Sequence, residues 1–538
     1  MKSLRNTITR RSLIVFLFLV VVLGIISLKF FRIMILQPVA THRWEEESYR
    51  RQVKSQRGKI VDANDVILAT SIPRQSLYAN PRQISSPWTV ARQLAPHLER
   101  SAAEIFRRLN TDRYFIWISR RLEDHLVDTI QSLDLEGVGF IEEPKRTYPQ
   151  DHSAASVVGI AGIDNRGLEG LEREFDDFLR VENNNPTAIP ELQVTIDRGV
   201  QHIVEEELKE LARREEPDWA TVVLMRPQTG EIVAMADWPT FNPNHFGRYP
   251  DSRYRNKAIS YDFEPGSTLK VMTVGSGLAD GVYGPRTEFE CQGEFHIDNT
   301  DHTLRCYAAH GELDIPEILI KSCNVGTALA VSQMSPENFY RNMRSFGFGN
   351  WTGVNLPGEI RGTLRRPVRW SNLTQPSMAI GQGISVTVLQ LTNALSAIVN
   401  DGLLLKPRIV SEKQHPSGEV ETKQPSPVRR VMSAETAHKL QEYMEQVVTR
   451  GTGQQASSDR FRLAGKTGTA QKADIEAGGY HEEKVLASFI GFGPVEEPEL
   501  AAAVIVDEPK KGRYGGEVAA PVFSRIMERS LQYIQRNN

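Results

Sequence analysis

The chain has 538 residues, 40% of them apolar and 24% charged, so it is too long for one ordinary domain and too apolar for long disorder. Its 64 Lys and Arg against 67 Asp and Glu give a net charge of −3, and the first 36 residues hold six of the basic residues and no acid, which leaves −9 on the rest. That balance excludes a nucleic-acid-binding body, which needs a basic face, and no collagen, heptad or solenoid repeat occurs.

Lys2, Arg5, Arg10 and Arg11 precede an apolar run from Leu13 to Leu28 that continues to Leu36, interrupted by Lys29 and Arg32. At 1.5 Å rise per residue, residues 13–36 are long enough to cross a hydrocarbon core of about 30 Å, and the two late cations can snorkel to the interface. The stretch exceeds the apolar part of a signal peptide and no A-x-A cleavage site follows, so it reads as an uncleaved transmembrane anchor. The leading positive charges keep residues 1–12 cytoplasmic and place the body outside the membrane, in a single-pass arrangement.

Residues 42–56 are polar and read as a juxtamembrane helix or stalk. Gly58–Ala69 is strand-like, and residues 86–134 predict small helices around a modest sheet. The segment 181–190, VENNNPTAIP, is the clearest linker, so the body divides into 37–190 and 191–538. The second block opens with a strand at Leu192–Ile196 and a helix from Asp197, its N-cap, to about Arg214. Thr221–Met225 and Glu231–Ala236, joined by Pro-Gln-Thr-Gly, predict a β-hairpin. Residues 411–430 are a polar excursion, a loop or hairpin. Leu463–Gln471, Val485–Gly493 and Leu500–Val506 predict three successive strands, and Ala519 to about Arg536 a closing helix. Strands at both ends with helices between them predict an α+β fold whose chain ends share one sheet.

Cys291, Cys306 and Cys323 are the three cysteines. Cys291 paired with Cys306 and three free thiols are both open from spacing alone. No C-x-x-C or H-E-x-x-H spacing occurs, so no metal is expected, and no cofactor either.

Three short motifs carry chemistry. In EPGSTLK, Ser267 and Lys270 stand at i and i+3 of a predicted helix running to Asp280, which lets an ammonium nitrogen reach the hydroxyl. Serine is a poor nucleophile until a base takes its proton, and lysine becomes that base when burial or a nearby cation lowers its pKa. Ser322-Cys323-Asn324 follows helical ELDIPEILIK and offers a hydroxyl for proton relay and an amide to fix a substrate backbone. Lys466-Thr467-Gly468-Thr469 lies on a predicted strand, where glycines suit the close approach of a peptide added as an extra strand. Lys466 and the threonine hydroxyls suit a terminal carboxylate, and the Thr469 N–H can join that of Ser267 in an oxyanion hole. A P-loop is excluded because Arg460 stands where its first glycine belongs. Each motif alone also fits a cap, a turn or a surface lysine. Together S-x-x-K, S-x-N and K-T-G each occur once and in that order, 55 and then 144 residues apart.

The trio resembles that of penicillin-binding transpeptidases. GQGISVTVLQLTNALSAIVNDG (381–402), GTG (451–453), ASFIGFGP (487–494) and YGGEVAAPVF (514–523) look like further segments of that family. RGKIVDANDVILA (57–69) and GLEGLEREFD (167–176) resemble the N-terminal pedestal of class B members, with Asp62-Ala63-Asn64-Asp65 in place of the usual Asp-Arg-Asn-Gly. The resemblance covers about residue 45 to the end and implies a multidomain α+β protein. Its parts are a membrane helix, a mixed pedestal domain resembling the family's dimerisation domain, and a transpeptidase domain with a mainly antiparallel sheet flanked by helices.

The implied activity is cross-linking of peptidoglycan stem peptides by a serine D,D-transpeptidase with Ser267 as nucleophile. By the same resemblance Lys270 is base, Ser322 proton relay and Asn324 positioner, while Lys466, Thr467, Gly468 and Thr469 bind substrate. β-Lactams are the implied covalent inhibitors, and a polytopic glycan polymerase and division-complex membrane proteins the implied partners. The body would face the periplasm where an outer membrane exists. The GLEGLE stretch is more similar to the division-specific (septal) subgroup than to the elongation subgroup. A β-lactamase or D,D-carboxypeptidase would use the same residues but pass the acyl group to water. A β-lactam sensor or a division scaffold would keep the fold without turnover.

Overall fold

The N-terminal run forms one helix, Lys2–Ile35 (34 residues), in a computed structural model that describes residues 2–35, 56–181, 189–300, 302–474 and 479–537. Among the described residues no helix is long and apolar enough to cross a membrane. Residues 42–55 of the expected stalk and 182–188 of the expected linker lie outside the described residues.

The chain forms two compact units. One is built mainly on residues 72–145. Here the later part of strand Ile67–Ala79 pairs with Ile116–Ser119 in antiparallel register, Leu77 opposite Ser119 and Ala79 opposite Ile116. Three eight-residue helices, Pro87–Leu94, Ala102–Leu109 and Asp124–Gln131, bury Val90, Leu94, Ile105 and Ile130 together with Leu77 and Ile118. These are the small helices and modest sheet expected there.

The other unit joins Arg57–Ser71, Arg146–Val181 and Asn185–Asn538. It cuts across the linear division at residue 190 because strand β1 (Lys59–Val61) pairs in parallel with β2 (Glu191–Val194). The turn after β1 is held without an arginine. Asp62 Oδ1 accepts the N–H groups of Asn64 and Val66, each at 2.8 Å, and Asp65 sits at φ 63°. Arg57, from the same segment, is fully buried against Glu172 and Asp176, and Arg146 Nε donates to the other Glu172 oxygen at 2.6 Å. The RGK and GLEGLE segments are thus tied by one buried ionic network.

Asp197 caps helix α1 (Arg198–Glu215), accepting from Gly199 and Val200 N–H. Strands β3 (Trp219–Arg226) and β4 (Glu231–Trp238) form the expected hairpin. The S-x-x-K helix begins one turn later than its spacing predicts. Gly266–Leu269 is a 3-10 turn, closed by the Lys270 N–H on Ser267 O, and the α-helix proper is α2 (Lys270–Ala279). Short strands follow: β5 (Phe289–Cys291), β6 (Glu294–His296), β7 (Thr303–Arg305) and β8 (Gly311–Leu313), with β5 paired to β8 and β6 to β7. The first residues of ELDIPEILIK are therefore strand. Helix α3 (Ile315–Ile320) starts only after Asp314, which caps it through the Glu317 N–H. Helix α4 (Asn324–Ser332), the long buried helix α5 (Val388–Val399) and strand β9 (Val410–Gln414) come next. Residues 410–422 form the hairpin expected of the polar excursion.

Strands β10 (Ala464–Ala473), β11 (Tyr480–Gly493) and β12 (Leu500–Asp507) complete a five-stranded antiparallel sheet in the order β4-β3-β12-β11-β10. The closing helix α7 (Ala520–Asn537) follows α6 (Ala434–Arg450) and this sheet in the chain. Both sheet faces are covered, which is why its central strands read as continuous apolar runs. Val222 and Leu224 of β3 pack with Val200 and Val204 of α1 and Phe523 and Ile526 of α7. The alternate residues Val223 and Met225 pack with Leu391 and Leu395 of α5. Of the two edges left by this order, one is β10, which carries the K-T-G motif.

Candidate active site

Ser267 is half-buried in the 3-10 turn, and Lys270 one turn later is fully buried. Lys270 Nζ donates to Ser322 O and to Asn324 Oδ1, both at 2.6 Å, and more weakly to Ser322 Oγ at 3.4 Å. Among the described residues Ser267 Oγ is not one of its hydrogen-bond partners. Burial holds the Lys270 amine down to about 8, against a smaller opposing pull from Cys323 and Cys306.

Ser322 stands between the helices α3 and α4 in the left-handed region, φ 52°. That conformation reverses the chain, so that its carbonyl and hydroxyl and the Asn324 side chain all meet Lys270. Asn324 Nδ2 donates to Arg305 O at 2.8 Å, which fixes the amide with its oxygen toward the lysine.

From the sheet, Lys466 Nζ donates to Ser322 Oγ at 2.8 Å and to Thr467 O at 3.1 Å. It is completely buried, and burial, then repulsion from Lys270, lowers its pKa well below the ordinary lysine value. The Ser322 hydroxyl is thus shared by two amines that are both easily deprotonated. Thr467 Oγ1 meets Thr452 Oγ1 at 2.8 Å, and Thr469 Oγ1 accepts the Gly515 N–H at 2.9 Å.

Two glycines set how closely these parts approach. Gly266 takes φ +55°, outside the comfort of a side chain, as the chain enters the Ser267 turn. A Cβ at Gly468 would lie 2.4 Å from Ser488 Oγ and 2.8 Å from Thr268 Cγ2, so the close approach of β10 to that turn suits glycine there. Three sequence-distant motifs are therefore brought to one place, with Ser322 at their centre.

Two residues near this place were missed in the sequence. Thr452, partner of Thr467, was visible only as part of a GTG segment with no assigned task. Glu264 lies three residues before Ser267. Its Oε1 accepts the Gly383 N–H at 2.8 Å and the Tyr480 hydroxyl at 3.3 Å, and burial holds its carboxyl above the usual range. Nothing in the local composition marks either, because their partners lie far along the chain.

Comparison with known proteins agrees with this geometry. Residues 220–528 match the penicillin binding protein transpeptidase domain, and residues 52–187 the penicillin-binding protein dimerisation domain. Stage V sporulation protein D of Bacillus subtilis is 34% identical over 558 residues, spanning 98% of this chain and 86% of the relative. The peptidoglycan D,D-transpeptidase FtsI of Escherichia coli is 29% identical, spanning 89% of this chain and 83% of that protein. Penicillin binding protein 3 of Mycobacterium tuberculosis, solved with aztreonam, superimposes with a TM-score of 0.73 at 28% identity, covering 89% of this chain and 96% of that one. With both domains matched in order and relatives aligned along nearly the whole length, the chain belongs to the penicillin-binding protein family, as a class B member of the FtsI type.

Proposed function

We propose that this chain is a serine-type peptidoglycan D,D-transpeptidase of septal wall synthesis. The observation that carries the reading is the convergence of Lys270, Lys466 and Asn324 on the Ser322 turn, at 2.6–3.4 Å. With an amine near 8, about a tenth of Lys270 is neutral at pH 7, enough to accept the Ser267 proton. Ser267 Oγ attacks the penultimate D-Ala carbonyl of a donor stem peptide, and the backbone N–H groups of Ser267 and Thr469 stabilise the oxyanion. The peptide C–N bond breaks as Ser322 passes a proton to the departing D-Ala amine. The terminal carboxylate rests on Lys466 and Thr467, beside Gly468. The amine of a second stem peptide then attacks the acyl-enzyme and returns Ser267. The free edge of β10 supports donor binding as an added strand.

The apolar run at 13–36, with cations before it, supports a single-pass anchor with the body outside the membrane. No glycan-polymerising segment is evident between that run and residue 190, which supports a separate polytopic polymerase and other division-complex membrane proteins as partners. The first test incubates the full chain in detergent with nascent glycan strands and analyses the digested product by mass. Cross-linked stem-peptide dimers that vanish with Ser267→Ala are the expected result. Release of D-Ala without dimers would make the protein a carboxypeptidase.

A further inference from the structure

A second cluster of reactive side chains lies directly behind the Ser322 turn. Cys291, Cys306, His310 and Cys323 bring one ligand atom each to within 4.8 Å of one another, and all three cysteines are free thiols. Cys306 Sγ stands 3.7 Å from Cys291 Sγ and 3.6 Å from Cys323 Sγ, and His310 Nδ1 stands 3.5 Å from Cys291 Sγ.

The fold builds this convergence from backbone pairing. Cys291 ends β5 opposite Gly311 of β8, and the His310 N–H donates to Cys291 O at 3.1 Å, which sets the ring beside the thiol. Cys306 follows β7 and its N–H donates to Gly293 O at 2.9 Å. Cys323 is the N-cap of α4.

We propose that these four residues form a closed site for one zinc ion, which pins the β5–β8 segment to the Ser322–Asn324 turn. Two observations argue for it, neither of which depends on the transpeptidase reading. First, tetrahedral zinc with Zn–S near 2.3 Å and Zn–N near 2.0 Å requires S···S edges of about 3.8 Å and S···N edges of about 3.6 Å. Three of the six ligand-to-ligand distances stand at those edges, 3.5–3.7 Å, and the other three lie within 4.8 Å, whereas a disulfide requires sulfurs at about 2.05 Å. Cys306 is also equidistant from both possible partners, so no one pair is favoured.

Second, two sulfurs accept backbone N–H groups, Cys306 from Val325 at 3.4 Å and Cys323 from Gly326 at 3.1 Å, and such bonds orient and stabilise metal-bound thiolate. Three thiolates and an imidazole are the ligand set of a structural zinc site, and four protein ligands leave no position for substrate. Binding expels the three thiol protons to solvent.

The spacing C-x14-C-x3-H-x12-C is unlike the close Cys pairs that mark zinc in a sequence. Cys323 lies between Ser322 and Asn324, and Arg305, whose carbonyl holds Asn324 Nδ2, adjoins Cys306. An ion here is therefore a positioning device for both motif residues.

The test purifies the full chain in detergent with reductant and no metal-affinity step, then measures metal by elemental mass spectrometry. About one zinc per chain is expected. Replacement by Co2+ should give the sulfur-to-cobalt charge-transfer band and strong visible bands of a tetrahedral site. His310→Ala, on a half-buried ring outside the motif, should weaken zinc retention against a chelator by about tenfold or more while penicillin labelling still reports a folded chain. Cys291→Ser should do the same. Less than about 0.1 zinc per chain, with no cobalt bands after loading, would overturn the proposal. So would a two-hydrogen mass deficit marking a disulfide, another metal held in stoichiometric amount, or unchanged retention in both variants.

Discussion

Lys270 sets the pH range of acylation on this account. Burial disfavours its ammonium form, so the neutral amine that accepts the Ser267 proton grows as pH rises through about 8. The rate of penicillin acylation, followed by stopped-flow fluorescence, should rise across that range and then level off. Asn324→Asp would put a carboxylate where an amide oxygen now lies 2.6 Å from Lys270 Nζ. An opposite charge so close favours the ammonium form, so the profile should move alkaline by about 1–3 pH units and the rate at pH 7 should fall about tenfold or more. A profile that stays in place would remove Lys270 as the base. The identity of these residues was legible in the sequence, from the order of three motifs. Their contacts were not. An i, i+3 helical reading aims Lys270 at Ser267, whereas its hydrogen bonds go to a turn 52 residues away in sequence, because Ser322 adopts φ 52° and presents its carbonyl.

At the scale of elements, strand β10 must lie against the Ser267 turn for the trio to meet. Gly468→Ala would drive a Cβ into Ser488 Oγ and Thr268 Cγ2, so these buried side chains must shift or β10 must move off the turn. Overpacking of this kind costs about 1–3 kcal/mol, and here it falls on the site itself. Acylation should drop at least tenfold while the denaturation midpoint falls only modestly, measured by penicillin labelling and urea unfolding of the same samples. Elements set by local signals were legible. The cap at Asp197, the β3–β4 hairpin and the three last strands stand within a few residues of where composition and turn chemistry put them. Elements set by distant pairing were not. Gly311–Leu313 became strand because β5 lies beside it, and the catalytic helix began as a 3-10 turn because the Lys270 N–H closes on Ser267 O. The Cys291–Cys323 cluster was invisible for the same reason, since its four members meet only through the β5–β8 pairing and the cap of α4.

At the scale of the whole molecule, residues 57–71 fall in one compact unit with the transpeptidase residues through the β1–β2 pairing, and ions tie them to residues 146–176. Arg57 and Arg146 share the two oxygens of Glu172, and all three side chains are almost wholly buried. Glu172→Gln leaves two buried guanidinium groups without that carboxylate, a loss of about 3–5 kcal/mol for breaking a buried pair. The urea midpoint of the full chain should fall accordingly, and an unchanged midpoint would show that the network is not structural. The central claim is that Ser267 is the nucleophile of a slow-deacylating acyl-enzyme. Intact mass of the full chain after exposure to a labelled penicillin, beside Ser267→Ala, tests it most directly. A stable one-to-one adduct in the wild type alone is the predicted result. An adduct that survives in Ser267→Ala, or a folded wild-type chain that forms none, would contradict the account.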